Sequence, residues 1–220
     1  MIELKGVSKR YSRSGEGGQA LLGVDLEIGR GELVAVTGPS ACGKTTLLNI
    51  VGLIDTPSSG HYRFNGADLA NRSEAELTEL RRRHIGFVFQ SFRLLDDLTV
   101  FENIELPLRY QRLSRRRRCT VVRELLELAD LETRGEAYPD ELSHGEQQRV
   151  AVVRAVANDP AMILADEPTA NLDEESAGRI VEMLQTLHLA GATVLIATHS
   201  SLWAACAERI VMLHGGRIVA

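Results

Sequence analysis

The sequence has few cysteines, no long apolar run and no excess of positive charge. Its three cysteines, Cys42, Cys119 and Cys206, are widely spaced and include no C-x-x-C pair, so neither a disulfide framework nor a zinc site is supported. No run is long and apolar enough for a membrane-spanning helix, and the N-terminus lacks the basic-then-apolar layout of a secretory signal. We therefore expect a protein of the reducing cytoplasm that neither spans the membrane nor is exported.

The charge balance also limits the function. A net charge of −5 argues against a general nucleic-acid binder, because neutralising phosphates requires an excess of Lys and Arg on one face. Two basic runs, at residues 81–83 and 115–118, lie in polar segments that we interpret as solvated helix faces without an assigned function. The 220 residues, 44% of them hydrophobic, are enough to fill the core of a domain.

Three short runs are almost wholly apolar, as central strands of a parallel sheet are when helices cover both faces. They occupy residues 33–36, 162–165 and 194–197. More than a hundred residues separate the first two runs, far more than one crossover connection needs. The sequence thus predicts an α/β core with a mainly parallel sheet, formed by residues 1–90 and 158–220, and an inserted α-helical subdomain at 91–157.

Other segments show the features of antiparallel strands. Residues 2–5 and 24–28 alternate between apolar and polar side chains, and a flexible turn is predicted between them at 12–18. Residues 210–219 resemble a hairpin whose turn is His214-Gly215-Gly216. We therefore expect an antiparallel β portion at the N-terminus and a hairpin near residue 219.

Residues 38–45, GPSACGKT, fit the pattern G-x-x-x-x-G-K-[ST] between an apolar strand and a helical run. The backbone N–H groups of such a loop and the N-terminus of the helix surround phosphates, while Lys44 reaches the β and γ oxygens and the Thr45 hydroxyl binds Mg²⁺. The motif predicts a P-loop NTPase core. We assign nucleotide contacts to Gly38, Ser40, Ala41, Cys42, Gly43, Lys44, Thr45 and Thr46.

Two neighbouring carboxylates, Asp166 and Glu167, follow the second apolar run. Ligands of open α/β sheets bind beyond the carboxyl ends of the strands, which is where these acids lie. Asp166 is predicted to hold Mg²⁺, directly or through water, and Glu167 to polarise the attacking water as general base. Together with the phosphate loop they indicate a P-loop NTPase, a class that includes GTPases, small-molecule kinases and helicases.

The string LSHGEQQRV at residues 142–150 narrows the class. It resembles the LSGGQ-type signature of ATP-binding cassette (ABC) proteins, and it precedes Asp166 by about twenty residues, which is the family's order. Ser143 and Glu146 have the S-x-x-E spacing of a capping box, which places a helix N-terminus at Ser143. The resemblance spans essentially the whole chain, and it implies a single ATP-hydrolysing nucleotide-binding domain over residues 1–220.

Other elements follow the family's pattern in order. Gln90 resembles the Q-loop glutamine, and His199 resembles the switch histidine. Residues 170–173 resemble the D-loop, and Tyr11 has the position of the aromatic residue that stacks on adenine. The catalytic roles that the resemblance implies fall on Lys44, Gln90, Glu167 and His199. The Mg²⁺ contacts that it implies fall on Thr45, Gln90 and Asp166.

A signature at a helix N-terminus is an anion site that the subunit's own phosphate loop cannot use. Family geometry likewise implies a homodimer. In it, Ser143, Gly145 and Glu146 belong to the site for the γ-phosphate that Lys44 of the other subunit holds. Hydrolysis removes the bridging charge, so the two chains separate.

Two positions depart from the family's pattern, which usually has Gly at both. Ala41 adds a methyl group to the phosphate loop, where backbone approaches phosphate, and this bears on loop geometry and rate. His144 places an imidazole beside the composite site, where its protonation near neutral pH either attracts phosphate or crowds it. One alternative is therefore a nucleotide-binding module with impaired turnover.

Within the family, residues 48–55, 85–95 and 98–108 resemble the ATPases of the macrolide-exporter, lipoprotein-release and cell-division branch. This resemblance implies a transmembrane permease as partner, with the ATPase cytoplasmic and peripheral at the inner face of the cell membrane. The open alternative is a regulatory cassette that controls a cell-envelope process with little or no transport. We predict the permease contact within residues 90–108, which carry four exposed-looking apolar residues: Phe92, Leu94, Leu95 and Phe101.

Overall fold

The computed structural model describes residues 1–11, 18–111 and 113–219 and has two β-sheets. The predicted turn at 12–18 therefore falls, apart from Gly18, outside the described residues. The strands are β1 (Ile2–Arg10), β2 (Gln19–Ile28), β3 (Leu33–Thr37), β4 (Ser59–Phe64), β5 (Ala67–Asp68), β6 (Ile85–Val88), β7 (Met162–Asp166), β8 (Thr193–Ala197), β9 (Arg209–His214) and β10 (Arg217–Ile218). The α-helices are α1 (Lys44–Val51), α2 (Glu74–His84), α3 (Val100–Arg109), α4 (Arg115–Leu128), α5 (His144–Val156), α6 (Glu174–Leu189) and α7 (Ser201–Ala204).

The N-terminal sheet is antiparallel, with the strand order β2-β1-β4-β5. Ile2 pairs with Ile28 and Leu4 with Leu26, so apolar residues of both strands lie on one face. That face is buried, while most of the intervening residues are at least partly exposed. The alternation therefore sets the register, and the strands predicted at 2–5 and 24–28 are confirmed.

The main sheet has the order β10-β9-β3-β8-β7-β6, and its strands from β9 to β6 are parallel. The three apolar runs of the sequence are β3, β8 and β7, side by side at its centre. Successive residues of β7 belong to different apolar clusters, since Leu164 packs on one face of the sheet and Ile163 on the other. Burial on both faces explains why these strands are continuously apolar.

Helices α3, α4 and α5 form most of the segment between β6 and β7. Thr99 and Ser143 cap α3 and α5 through complete capping boxes, which confirms the helix start predicted at Ser143. Their apolar faces share one cluster with residues of the sheet such as Ile163. The segment thus packs directly on the sheet, and its separation as a subdomain at 91–157 stays a prediction. In the described part of the chain, no helix is long and apolar enough to cross a membrane.

The two basic runs are not simply solvated helix faces. Arg82 donates to the Tyr110 carbonyl and to both oxygens of Glu79. Arg118 donates to Glu105, a carboxylate that is only 6% exposed and that also accepts from Arg109 at 2.7 Å. The spacing of Glu79 and Arg82 by three residues of one helix can be read from the sequence, but the partners Tyr110 and Glu105, from another part of the chain, cannot. The interpretation as solvated faces was therefore wrong for Arg82 and Arg118.

Glu105→Gln tests the buried ion cluster between α3 and α4. Burial raises the pKa of Glu105, but hydrogen bonds from Arg118 and Arg109 outweigh burial and leave the pKa below its usual value. We expect the variant to lose about 2 kcal/mol of unfolding free energy at pH 7. A lowered folded-state pKa gives stability that is complete above the unfolded value, so the difference from wild type should shrink below about pH 4. Urea denaturation at several pH values measures it.

The matched control is Glu124→Gln, because Glu124 is an exposed residue of α4. Its change in unfolding free energy should stay within about 0.5 kcal/mol. Equal losses in the two variants would contradict a specific role for the buried cluster.

Candidate active site

The phosphate loop, residues 38–45, begins at the end of β3 and leads into α1. Gly38 and Gly43 have φ angles of 150° and 110°. A methyl group at Gly38 would lie 2.1 Å from the Leu213 carbonyl oxygen, and one at Gly43 would lie 2.5 Å from that of Ala20. Backbone from β2 and β9 packs against the loop so closely that both positions require glycine.

The Lys44 side chain occupies the centre of this loop. Lys44 is only 7% exposed, and its ammonium donates to the carbonyl oxygens of Gly38 at 2.8 Å and Pro39 at 3.2 Å. Glu167 Oε1 lies 3.7 Å from Lys44 Nζ. A buried ammonium needs such acceptors, so the loop closes around the charge that is predicted to meet the phosphates.

Thr45 and Asp166 meet at the edge of the sheet. Thr45 is the second residue of α1, and its hydroxyl donates to Asp166 Oδ1 at 3.1 Å. Asp166 is the last residue of β7 and is buried. Burial raises the pKa of Asp166, and the neighbouring Glu167 carboxylate raises it further. The hydrogen bond from Thr45 lowers this pKa but does not outweigh them. A cation between these oxygens would favour the ionised form, which is the chemistry expected of a metal ligand.

Glu167 and His199 form a second contact at this edge. Glu167 has a φ of 47°, and its N–H donates to the Ala197 carbonyl at the end of β8. Its Oε2 accepts the backbone N–H of His199 at 3.2 Å and lies 2.9 Å from His199 Nδ1. Left-handed backbone at a non-glycine residue is strained, and the surrounding hydrogen bonds hold the carboxylate in this orientation.

These groups converge on one cavity of about 350 Å³. The cavity lies at the ends of β3, β7 and β8. Gln90, two residues after β6, also lines it. Most of the residues assigned from sequence to the nucleotide site line it. Its lining is Ala20, Ser40, Ala41, Gly43, Lys44, Thr45, Thr46, Gln90, Glu167 and His199.

The signature segment lies apart from this cavity. Its Ser143 accepts the Glu146 N–H at 3.3 Å, and Glu146 Oε2 accepts both the N–H and the hydroxyl of Ser143 at 2.9 Å. A methyl group on Gly145 would lie 2.5 Å from Ser176 Oγ, so this glycine permits α5 to pack against α6. In the part of the chain that the structure describes, no residue of 142–150 lines the 350 Å³ cavity.

A family model described as "ABC transporter" matches residues 21–170. The chain belongs to the ABC transporter family. The prediction of an ATP-binding cassette ATPase of this family, with its α/β fold, is therefore confirmed.

Relatives and solved structures of the family cover this cassette over its whole length. It is 44% identical to the macrolide export ATP-binding/permease protein MacB of Shigella flexneri and 46% identical to MacB 1/2 of Paracoccus denitrificans. The cassette spans 34% and 33% of these relatives, about one third of their length. The solved ATP-binding cassette MJ0796, a dimer in a post-hydrolysis state bound to ADP and Pi, is 41% identical with a TM-score of 0.94, covering 100% of this chain and 97% of that one.

Both departures of the cassette from the family's pattern have a structural setting. Ala41 is exposed at the cavity with a φ of 60°, a conformation that costs an L-residue about 1–2 kcal/mol. His144 is the first residue of α5 and is exposed, with its ring centroid 5.7 Å from that of Phe92. The imidazole thus packs beside the segment that follows Gln90.

Besides the signature residues and the predicted Mg²⁺ ligand Asp166, the predicted nucleotide contacts Gly38, Cys42 and Tyr11 lie outside the cavity lining. Cys42 is buried, and its carbonyl oxygen accepts the Gly216 N–H behind the loop. Gly38 lies at the base of the loop against Leu213. Tyr11 is 43% exposed, and its hydroxyl donates to Asp55 at 2.8 Å, which fixes the ring near the end of α1.

Sequence reasoning missed Ala20 and Gln148. Ala20 lines the cavity from β2, and its small side chain gives no signal in the sequence. Gln148 is 1% exposed, and its amide donates to the carbonyls of Pro168 at 2.8 Å and Phe89 at 3.4 Å. It therefore joins α5 to the loops that follow β7 and β6. The sequence did contain a signal for it, because Gln148 lies four residues before the apolar Val152 and therefore on the same, buried face of α5.

Ala41→Gly tests the strain in the phosphate loop. Glycine accepts a φ of 60° without the steric cost, although it adds entropy to the unfolded chain. We expect the free energy of unfolding to rise by about 0.5–1 kcal/mol. The control is Ala75→Gly in α2, an exposed helical position that should lose about 0.5–1 kcal/mol. Thermal unfolding measures both, and a loss in both variants would contradict the strain.

Proposed function

We propose that this cassette binds Mg-ATP, closes into a homodimer around it and hydrolyses it to drive a membrane permease. The observation that carries the proposal is the convergence of Lys44, Thr45 and the Glu167–His199 pair on one cavity, with Asp166 hydrogen-bonded to Thr45 at its wall. Each pair supplies a separate requirement of phosphoryl transfer. The cavity therefore supports hydrolysis as well as binding.

The residues of the cavity fit a magnesium nucleotide. Thr45 Oγ1 and Asp166 Oδ1 are 3.1 Å apart, so two oxygen ligands of the kind that Mg²⁺ prefers already face each other. Gln90 is the third proposed contact, from the cavity mouth. Bound Mg²⁺ would supply charge neutralisation at the β and γ oxygens.

Glu167 is the proposed general base, and His199 its positioning partner at the γ-phosphate. The contact of 2.9 Å between Oε2 and Nδ1 supports this pairing, as does the distance of 3.7 Å between Glu167 and the Lys44 ammonium. Because His199 and Lys44 hold the Glu167 carboxylate in one orientation, it can activate a water at one place in the cavity, in line with the γ-phosphate. Tyr11 is proposed to stack on the adenine, and the loop residues 38–46 to surround the phosphates.

The homodimer follows from the separation of the signature from the cavity of its own chain. Ser143, Gly145 and Glu146 form a helix N-terminus that favours negative charge. The solved relative MJ0796 is dimeric. In the proposed dimer the Ser143 hydroxyl turns from Glu146 to the γ-phosphate that Lys44 of the other subunit holds.

The permease is inferred from the MacB relatives, whose names join an ATP-binding part and a permease part. We propose that this cassette is cytoplasmic and associates peripherally with the inner face of the membrane through such a partner. A groove of about 540 Å³ between α2, β6, α3 and α5 supports this position, because Phe89, Pro107 and Tyr110 give it an apolar lining.

Calorimetry with the Glu167→Gln variant tests the proposal at its chemical step. Wild type should bind Mg-ATP and release phosphate slowly, and removal of Mg²⁺ should abolish turnover. The variant should still bind, because Lys44 and Asp166 are intact, but it should lose at least about a hundredfold in kcat. Size exclusion with ATP should then show a persistent dimer. Wild-type protein that does not bind Mg-ATP at millimolar concentration would refute the proposal.

His144→Gly tests whether the imidazole reaches the γ-phosphate in the dimer. An imidazole that donates a hydrogen bond to the bound anion at this helix N-terminus would strengthen ATP binding, so its removal should raise the KM for Mg-ATP. The glycine variant should therefore have a higher KM than wild type, while His199 is unchanged in both proteins. His144→Asn, which keeps a side chain of similar polarity, is the control for backbone freedom. A wild-type KM in both variants would show that His144 is passive.

Cross-linking tests the permease contact near residues 90–108. The structure changes the expected residues, since Leu94 and Phe101 pack against the apolar core and Leu95 is 47% exposed. A photo-reactive residue at Leu95 or Tyr110 should cross-link to the permease. The same residue at Arg217 should not, because β10 is at the opposite edge of the main sheet from β6. Cross-links at Arg217 alone would refute the placement.

A further inference from the structure

The turn between β9 and β10 contacts the back of the phosphate loop. The Gly216 N–H donates to the Cys42 carbonyl oxygen at 3.1 Å, and the Gly216 carbonyl accepts the Leu22 N–H at 2.8 Å. The turn therefore bridges β2 and the loop through backbone groups alone. No motif or periodicity in the sequence connects residue 216 with residue 42.

This hydrogen bond acts on a particular peptide unit of the loop. The Cys42 carbonyl and the Gly43 N–H belong to the same planar trans peptide, so they point in opposite directions. When Gly216 holds the carbonyl behind the loop, the Gly43 N–H is turned to the front. Gly43 lines the cavity on that side. Backbone N–H groups of such loops are the donors that bind phosphate oxygens.

Close packing holds the turn in this position. Gly216 has a φ of 77°, and a methyl group there would lie 2.9 Å from the Ala20 carbonyl oxygen and 3.2 Å from the Leu21 Cα. Both neighbours are backbone or backbone-attached atoms of β2, which cannot move aside as a flexible side chain does. A substitution at this position displaces the turn, and with it the donor to Cys42.

We propose that Gly216 is a positioning residue for nucleotide binding, which sets the orientation of the Cys42–Gly43 peptide and thus aims one phosphate-binding N–H of the loop. The inference rests on the proposed function of the loop. It assigns to the C-terminal hairpin a part in ATP affinity, although the hairpin does not line the cavity in the described residues. Gly216 acts through the loop and does not touch the nucleotide.

Gly216→Ala and Gly215→Ala form a matched pair of variants. Both positions have positive φ, 77° and 51°, so both alanines introduce backbone strain. A methyl group on Gly215 meets no described atom within 4 Å. Gly215→Ala thus reports the strain, and Gly216→Ala adds the displacement of the donor.

Calorimetric titration with Mg-ADP and steady-state kinetics with Mg-ATP distinguish the two effects. For Gly216→Ala we expect the Kd and KM to rise about tenfold, with kcat at saturating ATP within about twofold of wild type. For Gly215→Ala both constants should stay within about twofold of wild type, with a similar loss of Tm. Equal nucleotide affinity of the two variants overturns the inference.

A backbone variant decides the case in which Gly216→Ala does not fold. Replacing the residue 215–216 amide by an ester removes the N–H donor without adding a side chain, and native Cys206 provides a ligation site for a synthetic peptide 206–220. The ester protein should show the same rise in Kd, and wild-type affinity overturns the inference. If the unmodified ligated protein itself fails to bind Mg-ADP while the cassette is folded, the proposed nucleotide site is wrong instead.

Discussion

The buried ammonium of Lys44 is the charge around which the site is arranged. An isolated cation at 7% exposure is costly, and the loop carbonyls of Gly38 and Pro39 offset this cost together with Glu167. The loop has to curl to bring those carbonyls to one point. That curl requires left-handed backbone and close contact with β2 and β9, which explains why glycines stand where they do.

The order of the parallel strands brings the other proposed catalytic groups close to the same charge. Strands β3, β8 and β7 are neighbours, so their carboxyl ends form one edge. Asp166 and Glu167 come from β7, His199 follows β8, and the loop follows β3. Residues more than 120 positions apart in the chain, such as Thr45 and Asp166, therefore share a hydrogen bond. The apolar runs form the sheet, and the sheet places the polar residues at the ends of its strands next to one another.

Strain and capping occur at residues that we propose to contact the nucleotide or the other subunit. Glu167 and Ala41 have left-handed backbone in the cavity wall, and such strain persists where the surrounding structure over-determines it. The signature instead is fully capped by its own Glu146 in the single chain. In the proposed function, the first arrangement orients groups before the nucleotide binds, and the second leaves the Ser143 hydroxyl able to exchange Glu146 for a phosphate as its acceptor.

The sequence by itself determined the class of the protein, since the phosphate loop, the paired acids and the signature are local strings whose chemistry depends on spacing. It also determined the central strands and the start of α5, because burial on two faces and helix capping leave local patterns. Tertiary structure alone decided that Gln148 joins α5 to two loops, that Arg118 is paired with Glu105, and that Gly216 supports the loop at Cys42. These contacts join residues far apart in the chain through single polar or backbone groups, and such contacts impose no period or motif on the sequence.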